Sequence, residues 1–446
     1  MVHARVCLTR LVAAPALLIA LTIAAATMVA GCDIGYLTRG AYEEGRLLWH
    51  RKPISEVLTR ADLAAKTRAN LETVLAVRKF AADRLGLNVG GAYRTVTQVD
   101  SGAIVWIVMA APRTSLTPYT WWFPIVGAVP YRGYFNRARA EAEAADLEAH
   151  GFDTHVRSAI AFSSLGFFDD PLLSNLLRLD RVELAGVIIH ELFHRTYFLA
   201  SNVMFDESAA TWVGSRGAVD FFTETEGANS ADAIAARGVY ESDLKFAAFL
   251  LQEEARLLRL YQSGLPQAEI LKQREPIFAS INRDYATLKP SLSGLERFDL
   301  DREKLNNAVL LNYLLYFHDL DNFATLDRMQ HGDLRATIAR IIDLARGDPD
   351  NPFYAIWQAT LTAPTGSTAS ASSPSSESPS SELPPVPRRS AVPTDRLPPV
   401  TSPNSELVQQ PSASSTPAPA VTPSAAEAVK RSAAAAIIPV PPPKPH

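Results

Sequence analysis

Residues 54–86 are rich in Ala, Leu, Arg and Glu and contain no Pro, a pattern that predicts a helix. The period then shortens. Residues 93–99 and 103–110 alternate or run apolar on either side of Asp100-Ser101-Gly102, predicting a β-hairpin. An aromatic segment with Gly and Pro follows, from Trp121-Trp122-Phe123-Pro124 to Gly133-Tyr134-Phe135. Helix is expected again at 136–149, and alternation from His155 to Phe162 predicts a strand. Beyond Arg181 the helical period dominates, with helices expected at about 181–200, 206–222, 229–262, 266–287, 303–317 and 332–346. A small β portion ahead of a long helical portion predicts an α+β fold that is predominantly helical.

The two ends break this pattern. Residues 11–30 are apolar or small except for Thr22 and Thr27, and Arg5 and Arg10 precede them, as in an export signal. The run ends in Val29-Ala30-Gly31-Cys32, which resembles a bacterial lipobox. Residues 1–31 are therefore read as a lipoprotein signal peptide, with Cys32 diacylated and first in the mature chain. That chain is expected to be held on a membrane of the cell envelope, facing the periplasm. The alternative is an uncleaved anchor, since about 20 apolar residues can span a bilayer. The other cysteine, Cys7, lies inside the presumed signal, so no disulfide is expected. At the far end, residues 362–446 hold 19 of the 31 prolines, and no aromatic follows Trp357. With nothing large to bury, this segment is expected to be a disordered tail, leaving 32–361 as the folded domain.

The charge balance limits the function. A net charge of −4 offers no concentrated basic surface for nucleic acid. No Gly-rich phosphate loop, nucleophile elbow or internal repeat is found. What remains is His190-Glu191-Leu192-Phe193-His194, which extends the apolar run Leu184-Ala185-Gly186-Val187-Ile188-Ile189. At about 3.6 residues per turn the two histidines point from one helix face and can share a Zn²⁺ ion. Glu191 lies about 100° further round, beside the metal rather than on it, where a general base is useful. Three ionisable side chains in an apolar helix would be costly to bury without a metal.

A third ligand is required. Twelve residues, 195–206, separate His194 from Glu207, enough for the helix to end near Ala200, reverse at Ser201-Asn202 and return. Asp206 is read as the N-cap of the second helix, which leaves Glu207 as the ligand, with Asp206 itself or a distant residue as the alternatives. Ala209, Ala210, Gly214 and Gly217 would let that helix pack close to the first.

Glu207-Ser208-Ala209-Ala210 resembles the Glu-x-x-Ala element of the gluzincin metallopeptidases. More closely, the chain resembles a family of bacterial lipoproteins classed as aminopeptidases by prediction. The matching pieces are 127–135, 166–171, His190 to His194, 205–210 and Asn306-Asn307-Ala308. The resemblance implies a zincin-like fold, a zinc cofactor and a peptide substrate. It departs in one respect: the Gly-x-Met-Glu-Asn strand with which gluzincin aminopeptidases hold the substrate ammonium is missing. Asp169 and Asp170 are candidates for that task, or else caps for a helix starting at Pro171. For the oxyanion donor the candidates are Tyr313, Tyr316 and Tyr131, each of which could equally be a packing tyrosine; Tyr313 is taken first. Two other functions fit the same residues: a tethered binding protein with a structural zinc site, and an endopeptidase or cell-wall amidase. Oligomeric state is not legible in the sequence.

Overall fold

The computed structural model describes residues 42–361 except 43–44, 100–104, 124–125, 160–168, 295–297 and 299. The signal, Cys32, the turn Asp100-Ser101-Gly102, Gly166-Phe167-Phe168 and the Pro-rich tail lie outside the described residues. The chain runs through strand β1 (Lys52–Pro53), a single turn α1 (Ile54–Val57) and helix α2 (Ala65–Asp83). One helix across 54–86 is thus not formed. Arg68 donates to the carbonyls of Leu58 and Arg60, which satisfies the backbone of the intervening turn.

Next come β2 (Thr95–Thr97), β3 (Val105–Pro112), β4 (Trp121–Phe123), β5 (Gly127–Val129) and β6 (Arg132–Tyr134). Helix α3 (Arg137–Ala149), β7 (Phe152–Ala159) and β8 (Leu172–Leu173) complete the β portion. The expected hairpin of β2 with β3 is not made. β2 pairs with β1 and β8, whereas β3 lies between β6 and β7, antiparallel to both. The cause is in the side chains: β3 is apolar on both faces and needs cover on both. Val108 and Ala110 pack on Ala140, Ala144 and Leu147 of α3. Val105, Ile107, Met109 and Ala111 face the opposite way, into the main core.

That core is helical. It is built from α4 (Arg181–Thr196), α5 (Val203–Glu226), α6 (Ala231–Tyr261), α7 (Gln267–Leu288), α8 (Asn307–Phe317), α9 (Leu320–Met329), α10 (Leu334–Gly347) and α11 (Pro352–Leu361). The predominantly helical α+β class is borne out, and α9 and α11 are additions to the expected set. Both carry ordinary signals: Leu320, Phe323 and Ala324 share a face, and Pro352 opens α11. None of the described helices is long and apolar enough to cross a membrane.

Side chains fix where several of these helices start. Asp180 caps α4 by accepting from the Glu183 N–H at 2.8 Å. Asn306 caps α8, and the buried Asn307 ties its first turn to the end of β3 by donating to the carbonyls of Pro112 and Ser115. Helix α8 therefore lies across the core face of the β6–β3–β7 sheet.

Candidate metal centre

Helix α4 buries Leu184, Ala185, Ile188, Ile189, Leu192 and Phe193, so its apolar stripe fixes which way the remaining face looks. His190 and His194 lie on that face, one turn apart, with their Nε2 atoms 3.0 Å from each other. Helix α5 crosses α4 where two glycines meet. A Cβ added to Gly214 would lie 2.6 Å from the Gly186 carbonyl oxygen and 3.2 Å from His190 Cβ. This close approach brings Glu207 up to the histidines: its Oε2 is 3.3 Å from His190 Nε2 and 3.6 Å from His194 Nε2.

These three residues form a group able to hold a metal ion. A tetrahedral zinc ion bonded at about 2.0–2.1 Å keeps its ligand atoms about 3.3 Å apart. The separations of 3.0, 3.3 and 3.6 Å bracket that value, so the donor set fits the ion. Glu207 Oε2 is buried, and among the described residues its close polar neighbours are these two rings. Burial pushes the Glu207 carboxyl up, but the hydrogen bonds and charges of His190 and His194 outweigh it and hold the group at about 2. Glu207 is thus an anion facing two imidazoles, as a ligand must be.

Asp206 is not a helix cap. Helix α5 begins at Val203 after Asn202, which places Asp206 inside its first turn, fully buried. Its carboxylate accepts from the Leu199 N–H at 3.0 and 3.2 Å and so closes the reversal between the helices. Burial pushes its carboxyl well up, against the pull of the Leu199 hydrogen bond. The reversal is pinned elsewhere too. Ser201, at φ 67°, donates its N–H to Val126 O and accepts from the Ala128 N–H, and Asn202 Nδ2 donates to Pro349 O.

Glu191 is buried beside the triad. Three tyrosines share its surroundings. Burial pushes the phenols of Tyr93, Tyr131 and Tyr316 well up, and the Glu191 charge adds to this in each, with Glu207 acting on the last two. The Tyr316 ring lies 6.5 Å from the His190 ring, centroid to centroid. The ring of Tyr313, first choice from the sequence, packs edge-on against Phe246 at 5.7 Å. Asp169 and Asp170 do not cap a helix either, because Pro171 leads into β8 and a 3-10 turn (Ser174–Arg178). Asp169 instead accepts from Arg195 Nη2 at 3.0 Å and from the Gly91 N–H at 2.8 Å. Of the other histidines, His155 pairs with Glu303 at 2.9 Å, and His318 lies between Glu254 and Asp319 at 3.5 and 3.3 Å.

One neighbour of the site belongs to no sequence motif. Arg157 of β7 donates from Nε to Asn312 Oδ1 at 2.6 Å and from Nη2 to Tyr316 Oη at 3.3 Å. It stands opposite the fully buried Ile107 in the sheet register, so it projects from the core face. An arginine in phase with the inward positions of a strand is the signal that points to it.

A family model described as "Putative aminopeptidase" matches residues 35–352 of this chain. No match is found among curated proteins or among solved structures.

Proposed function

Because the chain belongs to the Putative aminopeptidase family, we propose that it is a zinc-dependent peptidase acting on the amino end of peptides, with the metal held by His190, His194 and Glu207. The observation that carries this reading is the convergence of two imidazole nitrogens and one anionic carboxylate oxygen to within 3.0–3.6 Å of one another. Two nitrogens and an oxygen are a donor set that suits zinc, and three protein ligands leave a position open for chemistry. When bound, the ion supplies a Lewis acid for water and for the scissile carbonyl.

The chain's own residues do the rest. Glu191, on the turn that carries both histidines, takes the proton of the attacking water and returns it to the leaving nitrogen. Tyr316, in the place first considered for Tyr313, donates to the carbonyl oxygen as negative charge gathers there. Burial of Glu191 and Glu207 keeps bulk water from competing for these groups. The same packing of the HExxH helix against a following carboxylate helix supports a zincin-like fold. Upstream, acylation of Cys32 would tether this domain to an envelope membrane on the periplasmic side.

The test separates binding from chemistry. Detergent-solubilised full chain is expected to hold one zinc per molecule and to release N-terminal residues from short peptides. Glu191→Gln should keep the zinc and lose hydrolysis by at least about two orders of magnitude. Full activity in Glu191→Gln, or equal zinc content in wild type and His190→Ala, would overturn the assignment.

A further inference from the structure

Tyr316 has a second partner whose chemistry restricts what its hydroxyl can do. Arg157 Nη2 lies 3.3 Å from Tyr316 Oη, and a guanidinium has donors only. Tyr316 Oη is therefore the acceptor in that contact, and its own proton must point away from Arg157. The guanidinium is itself held in place: Nε donates to Asn312 Oδ1 at 2.6 Å, and Asn312 is one turn before Tyr316 on α8. Its carbon sits 5.8 Å from the centre of the Tyr316 ring. Strand β7 and helix α8 are thus joined by a fork with one prong on Asn312 and the other on the phenol.

We propose that Arg157 is a positioning residue that aims and polarises the Tyr316 hydroxyl, so that its proton is presented to a substrate oxygen at the metal group. The proposal rests on the peptidase reading of the site. A cation donating to a phenol oxygen draws electron density from it and strengthens the hydrogen bond that the phenol then gives. The fork also removes the rotational freedom of the donor before substrate arrives. The rigid, planar two-pronged contact is one a lysine cannot reproduce.

Full-length protein carrying ¹³Cζ-tyrosine tests the link without any turnover. The resonance missing from Tyr316→Phe identifies Tyr316. That resonance should move in Arg157→Gln and also in Asn312→Ala, which frees the fork but keeps the charge. An unmoved resonance in both overturns the proposal. In peptide hydrolysis Arg157→Gln should lower kcat on the order of tenfold to a hundredfold with KM little changed, and Arg157→Lys should recover part of the loss. The double variant Arg157→Gln/Tyr316→Phe should be no slower than Tyr316→Phe alone. Multiplied losses in the double variant would mean that Arg157 does not act through Tyr316, and would also overturn it. If wild-type protein loaded with zinc cleaves no peptide, the peptidase reading falls, while the resonance still decides the Arg157 link.

Discussion

Replacing Gly214 by alanine isolates the feature on which the whole site depends. In an open helix interior the change would stabilise by about 1 kcal/mol through helix propensity. Here the new Cβ meets the Gly186 carbonyl oxygen at 2.6 Å, and ordinary C···O contacts begin near about 3.3 Å. The obstacle is backbone, so it cannot rotate away, and α4 and α5 must separate by about 0.7 Å to make room. Overpacking of this kind costs about 1–3 kcal/mol, which leaves Gly214→Ala less stable by up to about 2 kcal/mol after the propensity gain. The same displacement carries His190 away from Glu207, now 3.3 Å apart, and zinc affinity should fall at least about tenfold. Urea denaturation and zinc competition with a chromogenic chelator read the two effects separately. Gly347→Ala, where nothing lies within 4 Å of the added carbon, is the control and should be neutral or slightly stabilising. A Gly214→Ala protein as stable as the control and with wild-type zinc affinity would refute the close crossing.

Three further outcomes are expected. Glu207→Ala should lose zinc, whereas Asp206→Ala should keep it and lose about 1–3 kcal/mol by stranding the Leu199 N–H; the reverse pattern in elemental analysis would make Asp206 the ligand. His318 is pushed down by burial but raised overall to about 9 by Asp319 and Glu254. Its folded value exceeds its unfolded one, so the stabilisation is fully present below about pH 6.5 and is lost as pH rises through about 9, amounting to about 3 kcal/mol. His318→Gln should flatten that part of the stability–pH curve, and an unchanged slope would remove His318 as its source. Cys32→Ser should abolish incorporation of labelled fatty acid, and continued labelling would place the lipid elsewhere.

The metal group is legible in the sequence because its chemistry is local. Five consecutive residues and one turn of helix determine where His190, Glu191 and His194 point, and Glu207 comes from the room left for a returning carboxylate. The departures have a common character. Asp206 has the right residue type for a cap, but the cap position is set by where α5 begins, and that is fixed by the pinned reversal. Tyr313 and Tyr316 have equal claims along the chain, and it is the fold that sets the Tyr316 ring 6.5 Å from the His190 ring and the Tyr313 ring against Phe246. β2 and β3 are adjacent in sequence, yet the cover each strand needs sends them to different sheets. Arg157 stays hidden because strand alternation assigns a face without saying what lies above it.

The reversal at 197–202 is held at Leu199 by Asp206, at Ser201 by Val126 and Ala128, and at Asn202 by Pro349. A connector tied at three points behaves as a ruler rather than a hinge. Its length cannot change freely, since one inserted residue must either break an anchor or slide Glu207 along its helix by about 1.5 Å. The positions of His190, His194 and Glu207 are therefore set by the fold itself. Binding would order little of the chain, in contrast to small domains that fold only around their metal, and a chelator should strip this protein to a folded state that recovers when zinc is returned.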